Sequence, residues 1–369
     1  MRDRRIDLIR GLAILLLTVT HTVPAKALVE SFGHFYPKTG FLFHGADLFI
    51  ALSGLVCGMV YGRNYDQLGF EVTRRKGFAR ALQLFFYNAM AFLAVAFIVL
   101  GFQFLRTQTE FHSLGESPLA SSIGTITFIS PIPYFDILGV YVIFLIALPF
   151  FVHLQKTGRQ PMIYSAIIYA AYSIYRLFIA QTEPPLSDRF FVSPIAWQFL
   201  FFGFVAIGMS LREVREKLPS LQKTLPYILI YFFVMYFMRS ESWVFHNFSS
   251  KFDLGVLRIV DLVLVLYVID RAMPVDLPDR HWLGVDIASI GSNSLFCFSV
   301  TLVFCFFFSN LLAALGGGRA VYLVVILAEV LLMLRLGRIL RVNDGFRIWS
   351  RAEWIQCLVE RTGSQTSRP

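Results

Sequence analysis

The sequence predicts an all-α fold, a polytopic integral membrane protein with about ten transmembrane helices. Three observations carry that prediction. Of 369 residues, 56% are hydrophobic and only 15% charged, with 39 Phe. Soluble domains carry about a quarter charged residues, and one soluble core this apolar would leave large apolar patches in water. About ten apolar runs approach the ~20 residues a helix needs to cross a bilayer. Finally, roughly three quarters of the 33 Lys and Arg fall in alternate loops, as the positive-inside rule requires. That asymmetry accounts for the net charge of +9 as orientation, so nucleic acid is not expected as a partner. The apolar content also excludes a disordered chain.

The runs lie at 8–24, 41–62, 80–102, 134–153, 161–180, 194–211, 225–239, 254–270, 288–312 and 319–336. The first has a signal-peptide look, with Arg2, Arg4 and Arg5 ahead of it and Ala25-Lys26-Ala27 behind. Asp7, Arg10 and His21 interrupt it, so an uncleaved first helix is expected. With a cytoplasmic N-terminus, the basic groups Arg63–Arg80, Lys156–Arg159 and Arg212–Lys223 all fall on the cytoplasmic side. An even number of spans returns the C-terminus there. The fourth run follows a long polar segment, 103–133, a loop able to cover a cavity. The seventh run is short. Residues 1–336 form the transmembrane domain, and 337–369 a basic cytoplasmic tail. Trp349 and Trp354 in that tail suit an amphipathic helix on anionic lipid or a plain basic tail. No internal repeat marks a twofold transporter. Cys57, Cys297, Cys305 and Cys357 have neither metal nor disulfide spacing, so no metal is expected.

Ionisable residues inside spans are costly and therefore functional candidates. Asp7, Arg10 and His21 share one face of the first helix: 11 residues from Arg10 to His21 make three turns plus roughly 20° and about 16 Å of rise. Arg10 suits a phosphate or the Asp7 carboxylate, and His21 suits a general base. The bland reading is an anchoring Asp7–Arg10 pair and an interhelical hydrogen bond from His21. In the second run, Asp47 sits near the non-cytoplasmic end, with Gly54 two turns below it to allow close helix approach. Ser53 has no base near it in sequence and suits a bond back to the backbone. Arg63, Arg74 and Arg75 lie in the first cytoplasmic loop, where nucleotide phosphates or plain orientation would use them.

Arg5-x-Asp7-x-x-Arg10-Gly11 followed by His21 resembles the start of the OpgC family of membrane acyltransferases and their acyltransferase-3 relatives. Gly45 to Gly54 resembles the family's second-helix signature. Further resemblances lie at Pro133–Leu138 with Tyr141, at Phe190–Gln198, at Lys251–Gly255 with Arg258, and at Gly291 with Ser294-Leu295. The chain differs in having Ser193 before Pro194, Asp261 after Arg258, and Asn293. The resemblance covers roughly residues 4–310 and implies a ten-helix O-acyltransferase of a bacterial inner membrane, with both termini cytoplasmic. It implies acyl-CoA (succinyl-CoA or acetyl-CoA) as co-substrate and a periplasmic glucan or related glycan as acceptor. His21 would be the base and Asp47 its orienting partner. Arg10, Arg63, Arg74 and Arg75 would hold CoA phosphates, and Tyr134, Asp136 and Trp197 a sugar at the opposite mouth. Arg258 would meet a succinyl carboxylate or pair with Asp261. Asp7, Ser53 and Gly54 would be structural. The alternative from another class is a transporter or exporter without covalent chemistry, in which Asp47 and Arg258 outweigh His21.

Overall fold

The computed structural model describes residues 3–22, 45–104, 124–127, 134–178, 193–238, 248–251, 253–316, 318–344 and 346. Among them the chain is helical throughout, with no strands. Helices run over α1 (Arg4–Thr22), α2 (Gly45–Phe104), α3 (Asp136–Lys156), α4 (Pro161–Phe178), α5 (Pro194–Met209), α6 (Leu211–Lys217), α7 (Leu221–Met238), α8 (Val256–Ala272), α9 (Trp282–Ser292), α10 (Ser294–Ala314) and α11 (Arg319–Val342).

This is a membrane protein. Among the described residues four helices are long and apolar enough to cross a bilayer: α2, α3, α10 and α11. A fifth span is possible if α5 and α6, bent by 85° at Ser210, count as one. Outward-facing apolar side chains support lipid contact, with Phe97 80% and Phe233 65% exposed. Water would not tolerate such a coat.

Two expectations about the runs are corrected. The loop expected between the second and third runs is helical: α2 continues through it and breaks only at Gly69 (φ 77, ψ 179). Unbroken, 60 residues would span about 90 Å, three times the hydrocarbon thickness. No Pro lies between Gly62 and Arg80, so backbone hydrogen bonds stay within the helix, and glycine supplies the one left-handed turn. The ninth run, read as one span, is divided at Asn293 into α9 and α10. There the Asn293 side chain donates to Ser289 O at 2.9 Å.

The chain forms two compact units. The first comprises Met1–Lys38, Ala79–Gly139 and Val275–Pro369, and the second Thr39–Phe78 and Val140–Pro274. In the first, α1 packs on α9, α10 and α11. The contact is backbone to backbone: a Cβ on Gly11 would lie 2.0 Å from Ile287 O, and one on Gly291 1.8 Å from Asp7 O. Small residues that let helix axes approach are the usual adhesive in lipid, where the hydrophobic effect gives no drive. The second unit repeats the device. Gly54 and Gly58 of α2 meet Phe201 O and Val205 O of α5, and Gly208 of α5 meets Leu55 O.

The A-x-A segment, the tail from residue 347 and most of 103–133 lie outside the described residues. Helix α11 extends to Val342, six residues past the tenth run.

Candidate functional site

Helix α1 carries its polar groups in two places. Near its start Asp7 and Arg10 are both buried, and the Arg10 guanidinium donates to Ser294 Oγ at the start of α10. In its last turn His21 stacks on Tyr134, with ring centroids 4.4 Å apart and an interplanar angle of 28°. His21 Nδ1 is 3.4 Å from Thr20 Oγ1, a long contact. Tyr134 has φ 74, a left-handed backbone that a residue with a Cβ adopts only at a cost. Such strain clusters at sites where the surrounding structure fixes a side chain. Phe306 of α10 meets the Tyr134 ring edge-on at 6.4 Å. Two residues after Tyr134, the buried Asp136 opens α3, where the helix dipole favours a carboxylate.

Thr18 and Thr22 face the other way, toward α10 and α11. Thr18 Oγ1 is 2.9 Å from Thr301 Oγ1, and Ser309 Oγ donates to Thr22 O at 2.9 Å. Thr22 Oγ1 lies 2.7 Å from Oε1 of Glu329, which is fully buried at mid-helix in α11. Sequence reasoning missed Glu329, although it lies within the tenth apolar run and the rule that flagged His21 and Asp47 applies equally to it. Asp286 of α9 was missed as well. It is buried, with Arg341 at 3.3 Å and Arg338 at 3.8 Å from α11.

In the second unit Asp47 and Arg258 form a buried ion pair, 1% and 3% exposed, between the starts of α2 and α8. Asp261, the other partner expected for Arg258, is buried one turn further along α8. Asp47 reaches across to a cation that its own sequence neighbourhood does not contain. Ser53 is buried, and its hydroxyl has no hydrogen-bond partner among the described residues. The bond back to the backbone expected of it is not made. Trp197 is fully enclosed, 0% exposed, so its ring is a wall residue of the unit and not a member of an interfacial belt.

Arg63, Arg74 and Arg75 stand on α2 around the Gly69 break, on helix and not in a loop. Arg63 and Arg75 are exposed. Arg74 pairs with Glu71 at 2.8 Å and lies 6.0 Å from the Phe70 ring centre. The structure thus brings together Arg10 and Ser294, His21 and Tyr134, and Asp47 and Arg258. Among the described residues no group of three or more His, Cys, Asp or Glu is arranged to hold a metal ion. Cys57, Cys297 and Cys305 are buried thiols.

A family model described as OpgC protein matches residues 2–344 of the chain. No curated protein and no solved structure matches it.

Proposed function

The chain belongs to the OpgC family of membrane glucan acyltransferases, and from that premise we propose that it moves a succinyl group from cytoplasmic acyl-CoA to a hydroxyl of a periplasmic glucan. The observation that carries the reading is the His21–Tyr134 stack on strained backbone, with buried Arg10 three turns below on the same helix. His21 takes the proton of the sugar hydroxyl as its oxygen bonds to the thioester carbonyl carbon. The tetrahedral intermediate then expels the CoA thiolate, which recovers that proton from His21. A neutral imidazole is suited to both transfers near pH 7.

Arg10 serves a CoA phosphate near the start of α1, and Arg63, Arg74 and Arg75 of the second unit are separate candidates for phosphate contacts. Tyr134 and Asp136 hold the acceptor sugar, and Trp197 is a further sugar-binding candidate in the second unit. The Asp47–Arg258 pair is available to exchange its partner for a succinyl carboxylate. The protein sits in a bacterial inner membrane as ten spans with both termini in the cytoplasm. Described helices overlap each of the ten apolar runs, and four of them, or five with the bent pair, are long and apolar enough to span.

The test uses purified full-length protein in liposomes with labelled succinyl-CoA and glucan. Wild type esterifies the glucan and consumes CoA thioester in equal amounts. His21→Ala, folded by size-exclusion chromatography, loses about 10²–10⁴-fold in rate. Transfer by His21→Ala at the wild-type rate would remove His21 from the mechanism. Substituting acetyl-CoA in the same assay assigns the acyl group.

A further inference from the structure

Glu329 lies at the middle of α11, fully buried, with Oε1 2.7 Å from Thr22 Oγ1. Its Oε2 has no hydrogen-bond partner among the described residues. The arginines of α11 do not neutralise it. Arg338 and Arg341 sit on Asp286, about 13 Å or more along the helix, and Arg335 is exposed. Among the described residues the titratable neighbour on α10 is Cys305, whose Sγ donates to Thr18 O at 3.7 Å; His21 adjoins Thr22 along α1 but stacks on Tyr134. Asp286 is the acid of α9 on this side and is held by the two arginines.

Full burial away from the arginines of Asp286 favours the neutral carboxyl, and the contacts of Thr22 accommodate it. Thr22 Oγ1 has one hydrogen but two close oxygens, Glu329 Oε1 at 2.7 Å and Thr18 O at 3.0 Å. A carboxylate would put an unpaired charge inside the helix bundle, with Oε2 left without a donor among the described residues. A carboxylic acid satisfies both contacts: its own proton goes to Thr22 Oγ1, and the threonine hydrogen goes to Thr18 O. We infer that Glu329 is held as a neutral carboxylic acid that donates to Thr22 and thereby fixes the turn of α1 bearing His21, a positioning residue for acyl transfer. The positioning role rests on the reaction proposed above; the neutral state does not.

The experiment compares wild type, Glu329→Gln, Glu329→Asp and Glu329→Ala as full-length protein in lipid. A Gln side chain is neutral and can donate an amide N–H to Thr22 Oγ1. Infrared difference spectra of Glu329→Gln against wild type at neutral pH are expected to lose a protonated-carboxyl C=O stretch; loss of carboxylate stretches instead overturns the neutral state. In the succinyl-CoA assay Glu329→Gln is expected to stay within about threefold of wild type. Glu329→Ala and Glu329→Asp should fall about tenfold, chiefly in kcat. Rising pH ionises the wild-type acid and removes its donor, so wild type should lose activity on the alkaline side, and Glu329→Gln should lack that limb. Glu329→Gln as impaired as Glu329→Ala, or Glu329→Ala equal to wild type, overturns the positioning role. If wild type itself transfers no acyl group, the reaction fails while the infrared result still decides the state of Glu329.

Discussion

His21 and Tyr134 depend on each other at the scale of single side chains. A stacked ring pair is worth about 0.5–1.5 kcal/mol, and the Tyr134 ring is aimed by a backbone with φ 74. Tyr134→Phe is expected to keep the stack and most of the acyl-transfer rate. Tyr134→Ala should lose about two- to tenfold in kcat/KM. Equal rates for the two variants would show that the stack does not hold the imidazole. The Asp47–Arg258 pair sets a second residue-scale expectation. Removing one member of a buried pair strands the other charge, at about 3–5 kcal/mol. Asp47→Leu alone should therefore lower the thermal midpoint in detergent sharply, and Asp47→Leu with Arg258→Met should recover much of the loss. A double variant no more stable than the single would mean the pair is not coupled.

Glycine decides how near the helices come. The α1–α9 contact at Gly11 and Gly291 leaves no room for a Cβ, since the nearest carbonyl oxygens would be 2.0 and 1.8 Å away. Gly291→Val should abolish monodisperse folded protein in fluorescence-detected size exclusion. Gly101→Ala, with nothing within 4 Å of an added Cβ, should not. Gly69 is a different case: its surroundings are open but its φ is +77. Gly69→Ala is expected to cost about 1–3 kcal/mol through strain alone. Gly11 and Gly291 stood within family motifs, but of the glycines only Gly54 was marked as a contact point, because closeness between helices far apart in the chain leaves no periodic signal.

For the whole molecule, the charge asymmetry makes a claim about sides. Single cysteines replacing the exposed Arg63 and Arg75 should react with an impermeant maleimide only from the cytoplasmic face of membrane vesicles. Reaction only from the periplasmic face would invert the topology. Helical class, apolar runs and the family motifs were all legible, because hydrophobic length and spacing along one chain are local properties. The first helix showed its Asp7, Arg10 and His21 stripe for the same reason. Helix breaks were less legible. Asn293 breaks a helix inside one apolar run, and Gly69 kinks a helix where the runs implied a loop, since a turn needs only one permissive residue.

Composition and spacing by themselves determined that this chain is an all-α membrane protein with an OpgC-type motif series. They also placed Arg10 and His21 at opposite ends of one helix. Partners were decided only by tertiary structure: Asp47 with Arg258, His21 with Tyr134, Arg10 with Ser294, and Thr22 with Glu329. Each joins residues more than a hundred positions apart. A buried charge or hydroxyl must find a partner, and the sequence states that need without stating where the fold will meet it.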